Sequence, residues 1–213
     1  MERVIVVHVG CADCEVAARW ASWEAARRGL PLQPHRDGTP PAPEETELVV
    51  ACARDLDDLS ASPCPCVLVP EGAGEPVAAE TVLGVDARTP AADAVAFAFD
   101  TARRWGVRLR AVHAWRLPAE AAELPFGIPE DDRATWEDHE VHLLSGALRP
   151  WREKYPEVEV LEDVRLLSPV QALVRQSANA GLVVVGTRTR AAASATVRGL
   201  VARSRCPVAV VPS

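Results

Sequence analysis

Residues Leu182 to Ser213 hold the residue types whose order could handle phosphate. They read L-V-V-V-G-T-R-T-R, then a small-residue stretch, then V-R-G-L-V-A-R-S-R and C-P-V-A-V-V-P-S. An apolar run ending in Gly186, a loop, and a helix beginning near Gly199 would turn free backbone N–H groups toward an anion. Glycines admit positive φ and close approach there, and a helix N-terminus carries partial positive charge. A second group could do thiol or metal chemistry. Cys11-Ala-Asp-Cys14 follows an apolar run and opens a helical pattern, the setting that lowers a thiol pKa. With His8 and Cys52 at the ends of neighbouring strands, these cysteines could form a thiol or zinc site. His113, His139 and His142 come with no G-x-S-x-G, H-E-x-x-H or P-loop, so they read as structural or exposed. Glu130-Asp131-Asp132 and Glu137-Asp138 read as a solvated face of a helix that follows a connector starting at Pro118.

The elements that must position these residues are short and apolar. Runs recur at Val4 to Val9, Leu48 to Ala51, Val67 to Val69, Val82 to Val85, Leu109 to Val112, Leu182 to Val185 and Val208 to Val211. They are Val-rich and do not alternate, as expected of strands buried on both faces of a parallel sheet. Helix-period segments lie between several of them. Glu15 to Arg28 stops at Gly29, and Ala91 to Trp105 stops at Gly106, with Thr89-Pro90 as its expected N-cap and first-turn proline. The pattern predicts βαβ units and a doubly wound α/β sheet.

Composition narrows the partners. With 48% apolar residues among 213, the chain can bury a core. A formal net charge of -7 argues against DNA or RNA, whose binding rests on clustered cations. The opening apolar run is too short for a signal region or a membrane span, which predicts no membrane partner and a cytoplasmic location. Six cysteines without a secretion signal read as reduced thiols.

Comparing early and late segments reveals a repeat. Arg3-Val-Ile-Val-Val-His8 resembles Thr81-Val-Leu-Gly-Val-Asp86, and Ala26-Arg-Arg-Gly29 resembles Ala102-Arg-Arg-Trp-Gly106. Leu48 to Arg54 matches Leu182 to Arg188, and Cys64 to Pro70 matches Cys206 to Pro212. Four blocks in one order predict a tandem duplication. Residues 1–70 form an abbreviated copy, 71–80 a Gly- and Pro-containing linker, and 81–213 a complete copy. The shorter copy has too few core elements to fold alone.

Gly84-Val85-Asp86, Gly186, Gly199 and Cys206-Pro207-Val208-Ala209-Val210-Val211 together resemble the universal stress protein family. The resemblance runs through the second copy and, in abbreviated form, the first. It implies a five-stranded parallel sheet of order 3-2-1-4-5 in the second copy and a pair of domains joined through their last strands. Here those strands are Val67 to Val69 and Val208 to Val211, giving an internal pseudo-dimer that could dimerise further. In family members that bind ATP, the phosphates sit on a loop of the form G-x2-G-x9-G-S/T. Laid on this chain, the first and third glycines are Gly186 and Gly199, the second falls on Thr189, and the hydroxyl falls on Leu200. Asp86 stands at the adenine side, and Val112 where main chain meets the base.

These departures have a cost. A β-branched residue in the left-handed region costs about 1 to 2 kcal/mol, and a lost hydrogen bond to charged phosphate about 1.5 to 3. Together they weaken binding by roughly two to three decades, of which Arg188, Arg190 and Arg198 could recover part. The expectation is a binding or regulatory protein, not an enzyme, with no required cofactor and a degenerate nucleotide pocket. Two alternatives stand beside it: an ATP-binding member using the loop arginines, and the thiol or zinc site at Cys11, Cys14 and Cys52. Ten positions separate Arg54 from Cys64, against eighteen between Arg188 and Cys206. The shorter stretch is acidic and has no glycine, so the first copy is not expected to hold ATP.

Overall fold

The computed structural model describes residues 3–8, 15–35, 42–59, 62–117, 130–187 and 193–212. The strands are β1 (Val4–His8), β2 (Leu32–His35), β3 (Thr46–Cys52), β4 (Cys66–Val69), β5 (Glu80–Gly84), β6 (Leu109–Trp115), β7 (Val160–Leu166), β8 (Ala180–Thr187) and β9 (Val208–Pro212). The helices are α1 (Glu15–Arg28), α2 (Leu56–Leu59), α3 (Ala92–Trp105), α4 (Glu130–Lys154), α5 (Pro169–Gln176) and α6 (Ala195–Val201). Among the described residues, the strands make one sheet in the order β2-β1-β3-β4-β9-β8-β5-β6-β7. Neighbours are parallel except β4 with β9, which run antiparallel with Val67 opposite Ala209.

The central strands are Val- and Leu-rich because both faces of the sheet are covered. One apolar cluster includes Val7, Trp20, Leu48, Leu83, Phe99 and Leu144, and brings in α1, α3 and α4. The other includes Leu68, Val112, Leu173, Val183, Leu200 and Val208, and brings in α5 and α6. The edge strands differ in kind. β2 is mostly exposed and carries Pro34, and β7 carries Glu162, Asp163 and Arg165. Proline and charge are tolerated at an edge, where no further strand must pair.

The same local geometry occurs on both sides of the β4–β9 pairing. α1 and α3 each have 14 residues and end at a left-handed glycine, Gly29 at φ 65° and Gly106 at φ 66°. The Ser62 hydroxyl donates to the Cys64 carbonyl (3.2 Å), and the Ser204 hydroxyl donates to the Cys206 carbonyl (2.7 Å). Val49 N–H donates to the Pro65 carbonyl and Val183 N–H to that of Pro207. The β1–β3 register shifts between Val4 and Ile5, and the β5–β8 register between Glu80 and Thr81.

α1 and α3 meet through a buried polar knot. The Glu24 carboxylate accepts from Arg28 (2.6 Å) and from the Trp105 indole N–H (2.9 Å), and Arg28 also donates to Thr101 (3.4 Å). Trp23 meets the Trp105 ring edge-on at 5.0 Å. The start of α3 departs from the sequence reading: Ala91 is the N-cap and makes no side-chain cap bond. Thr89 instead donates its hydroxyl to Asp86, whose carboxylate closes the preceding turn and leaves Thr89 before the helix.

Candidate functional site: a cavity at the ends of strands β5, β6 and β8

β5 lies between β8 and β6, so the winding of the sheet reverses there, and a crevice forms where successive connections leave on opposite faces. At the carboxyl ends of these three strands lies a cavity of about 630 Å³. Its β5–β6 wall carries Asp86, Val112 and His113, and its β8 wall carries Gly186 and Thr187. Ser194 and Thr196, where α6 begins, face it from the far side.

Each wall residue is held for an identifiable reason. A Cβ on Gly186 would stand 2.5 Å from the Ala91 Cβ and 3.2 Å from that of Ala94, so the end of β8 packs this close to α3 only with glycine. Asp86 accepts from the Arg88 backbone N–H (3.1 Å) and from the Thr89 hydroxyl (3.0 Å). His113 Nε2 lies 2.9 Å from Glu140, and Glu140 also accepts from Arg88 (2.8 Å). Burial opposes ionisation of Glu140, but its hydrogen bonds from Arg88 and His113 outweigh that and hold its pKa below the usual carboxylate value. The same pairing raises the pKa of Arg88.

Asp86, Val112 and Gly186 are thus brought together on one cavity. Gly199 and Leu200 are not. α6 is capped by Ser194, whose hydroxyl accepts from Val197 N–H (3.2 Å), so the helix begins before Gly199 and carries both residues inside it. Gly199 instead packs beside Val170 of α5, whose methyls would lie 3.5 Å from an added Cβ, at ordinary contact distance. Leu200 is 0% exposed and packs in the core cluster beneath α5 and α6. Arg198, one of the three arginines that could have paired with phosphate, forms an ion pair with Asp57 across the β4–β9 seam. Arg188, Thr189 and Arg190 lie outside the described residues, as do Cys11 and Cys14.

The thiols that are described are poorly placed to react. Cys52, Cys64, Cys66 and Cys206 are all buried. Burial pushes the Cys66 thiol up to about 12 and that of Cys206 up to about 11, leaving little thiolate at neutral pH. Among the described residues no group of three His, Cys, Asp or Glu side chains could hold a metal ion.

Sequence reasoning passed over His113 and missed Arg88, Glu140, Ser194 and Thr196. Ser194 had a usable signal, a serine directly before a helical stretch with its N–H donor three positions on. Glu140 had none, because it is brought to His113 only by the packing of α4.

A mostly parallel, open α/β sheet with a crevice at its switch point defines a doubly wound α/β protein. Residues 80–212 match the model of the universal stress protein family, and the chain belongs to that family. The Mycobacterium tuberculosis universal stress protein Rv2005c is 38% identical over 138 residues, which are 65% of this chain and 45% of the relative. The chain therefore matches under half the length of that relative. A universal stress protein structure from Archaeoglobus fulgidus covers 100% of this chain and 86% of its own, with a TM-score of 0.56 at 14% identity, a likeness of fold. Another from Archaeoglobus fulgidus, solved in complex with dAMP, covers 62% of this chain and 97% of its own, at 21% identity and a TM-score of 0.46. No described helix is long and apolar enough to cross a membrane.

Proposed function

We propose that the chain acts by binding, as a regulatory protein whose single nucleotide cavity lies in residues 81–213 and takes an adenine nucleotide weakly. The observation that carries this reading is the cavity itself, which joins Asp86, Val112 and Gly186 at the sheet's switch point. The reduced affinity follows from where the fold puts the residues that the motif assigned to phosphate. Gly199 and Leu200 are taken up by helix and core packing, and neither is left for phosphate. We assign no catalytic step: on the cavity wall Arg88, Glu140 and His113 are tied to one another and Asp86 closes a turn.

Residues 1–70 serve in this reading as an abbreviated first copy joined by the linker 71–80. The seam supports it. Exchanging Cys66 with Val208, Val67 with Ala209 and Leu68 with Val210 turns the β4–β9 register into itself, as a local twofold axis requires. The same exchange of α1 with α3 carries the Glu24–Trp105 contact onto the Thr101–Arg28 contact. The internal pseudo-dimer uses both last strands, and its partner surface is built into the chain.

Calorimetric titration with magnesium ATP and with AMP tests the affinity. The expected dissociation constants lie above about 10 μM, or weaker than about -7 kcal/mol. A clearly tighter constant contradicts the degenerate pocket and favours the reading in which loop arginines make a full ATP site.

A further inference from the structure

His113 is 2% exposed at the wall of the cavity, and its two ring nitrogens meet different parts of the fold. Nε2 lies 2.9 Å from the Glu140 carboxylate on α4. Nδ1 lies 3.3 Å from the backbone N of Ala87 and 3.1 Å from the Val85 carbonyl oxygen. Those two backbone groups flank Asp86. The circuit closes through Arg88, whose guanidinium donates to Glu140 while its backbone N–H donates to Asp86.

We propose that His113, seated by Glu140 and Arg88, is a positioning residue for Asp86, tying down the backbone beside it and so the shape of the β5–β6 end of the cavity. Its consequence for ligand affinity rests on the nucleotide reading above; its consequence for the Asp86 turn does not. The proton placement follows from the partners. An ionised carboxylate can only accept, and Glu140 is held ionised by Arg88 and His113 against the cost of its burial. Nε2 of His113 therefore carries a proton, and Nδ1, which faces both the Ala87 N–H and the Val85 carbonyl, can bond only one of them at a time, accepting from the first or donating to the second. A merely space-filling ring would not need a proton at Nε2.

Two substitutions separate the ring nitrogens. Asparagine places its amide oxygen near the position of Nδ1, whereas glutamine reaches that of Nε2. In nitrogen-15 spectra of the full chain, His113→Gln is expected to move the Ala87 and Asp86 amide resonances, while His113→Asn leaves them close to the wild type. AMP affinity should fall about tenfold in His113→Gln and by less than about threefold in His113→Asn. Equal effects of the two variants, or an unmoved Ala87 amide in His113→Gln, would overturn the proposal. Should either variant fail to fold, the wild-type ring decides: its nitrogen shifts should report a protonated Nε2, and a bare Nε2 rejects the assignment. If the wild type takes up no AMP but the Ala87 amide responds as stated, the nucleotide reading fails and the positioning role stands. If AMP binds and the amide does not respond, the reverse holds.

Discussion

Between β3 and β4 the chain turns through a three-residue 3-10 helix and the four-residue α2, whereas between β8 and β9 it runs through a longer connection into α6. The strands flanking these connections are paired alike: Val49 faces Cys66 as Val183 faces Val208, and Cys52 faces Val69 as Gly186 faces Val211. Two regions with one register therefore differ in the connection that leaves the strand. Where Gly186 stands, α3 closes on the end of β8 and a cavity opens beside it. At the corresponding place the first region has Cys52, and its acidic α2 reaches across to α6 through Asp57 and Arg198. Buried register is hard to change because a slip exposes every core side chain. Surface connections change freely, so two regions can keep one sheet register while a cavity opens beside only one of the two connections.

The largest break in this comparison should come at the seam. Glu24 and Arg28 are 1% and 2% exposed. Glu24→Ala leaves a buried guanidinium short of its partner and should lower stability by about 3 to 5 kcal/mol in urea unfolding, with Glu24→Leu/Arg28→Leu recovering much of the loss. Leu200→Ser comes next. If Leu200 stood at a phosphate hydroxyl position, serine would tighten ATP binding. As a core residue, it should instead cost about 2 to 5 kcal/mol with no gain in affinity, read by unfolding and calorimetry together.

The two glycines sharpen the contrast further. Gly186→Ala drives a methyl into Ala91, so about 1 to 3 kcal/mol of stability and much of the AMP affinity should be lost. Gly199→Ala meets neighbours at 3.3 to 3.5 Å inside a helix, and should change stability by about 1 kcal/mol or less without affecting affinity. A smaller effect is expected from acid. Asp100, like Glu140, has a lowered pKa: burial opposes its ionisation, and the hydrogen bonds from Arg103 and Arg104 outweigh it. A carboxylate with a depressed folded pKa contributes stability above its unfolded pKa and loses it as pH falls through the folded one. Urea midpoints should therefore drop below about pH 4, with a shallower slope in Glu140→Gln.

Much of the central sheet was legible, because Val4 to Val7, Leu48 to Cys52, Val82 and Leu83, and Leu182 to Val185 are apolar runs buried on both faces. Neither edge strand was placed from its residues. Leu32 to His35 contains a proline, and Val160 to Leu166 mixes charge with aliphatic side chains, since an edge need not be apolar on both faces. In the site, Asp86 and Gly186 could be read from their place at strand ends. The positions of Gly199 and Leu200 could not, because the spacing rule presumes a fixed loop length and Ser194 starts the helix earlier. The link of His113 to Glu140 joins residues 27 positions apart, and only packing reveals it.

The proposed adenine-nucleotide cavity, one per chain and confined to residues 81–213, is what gives the contrast between the two regions its meaning. A titration of the nitrogen-15-labelled full chain with AMP measures stoichiometry and location together. One AMP should bind per chain, with amide shifts clustered at Asp86, His113 and Gly186 and none from Leu48 to Pro70. Saturation at two per chain, or shifts centred on Cys52, would contradict a single cavity in the second copy.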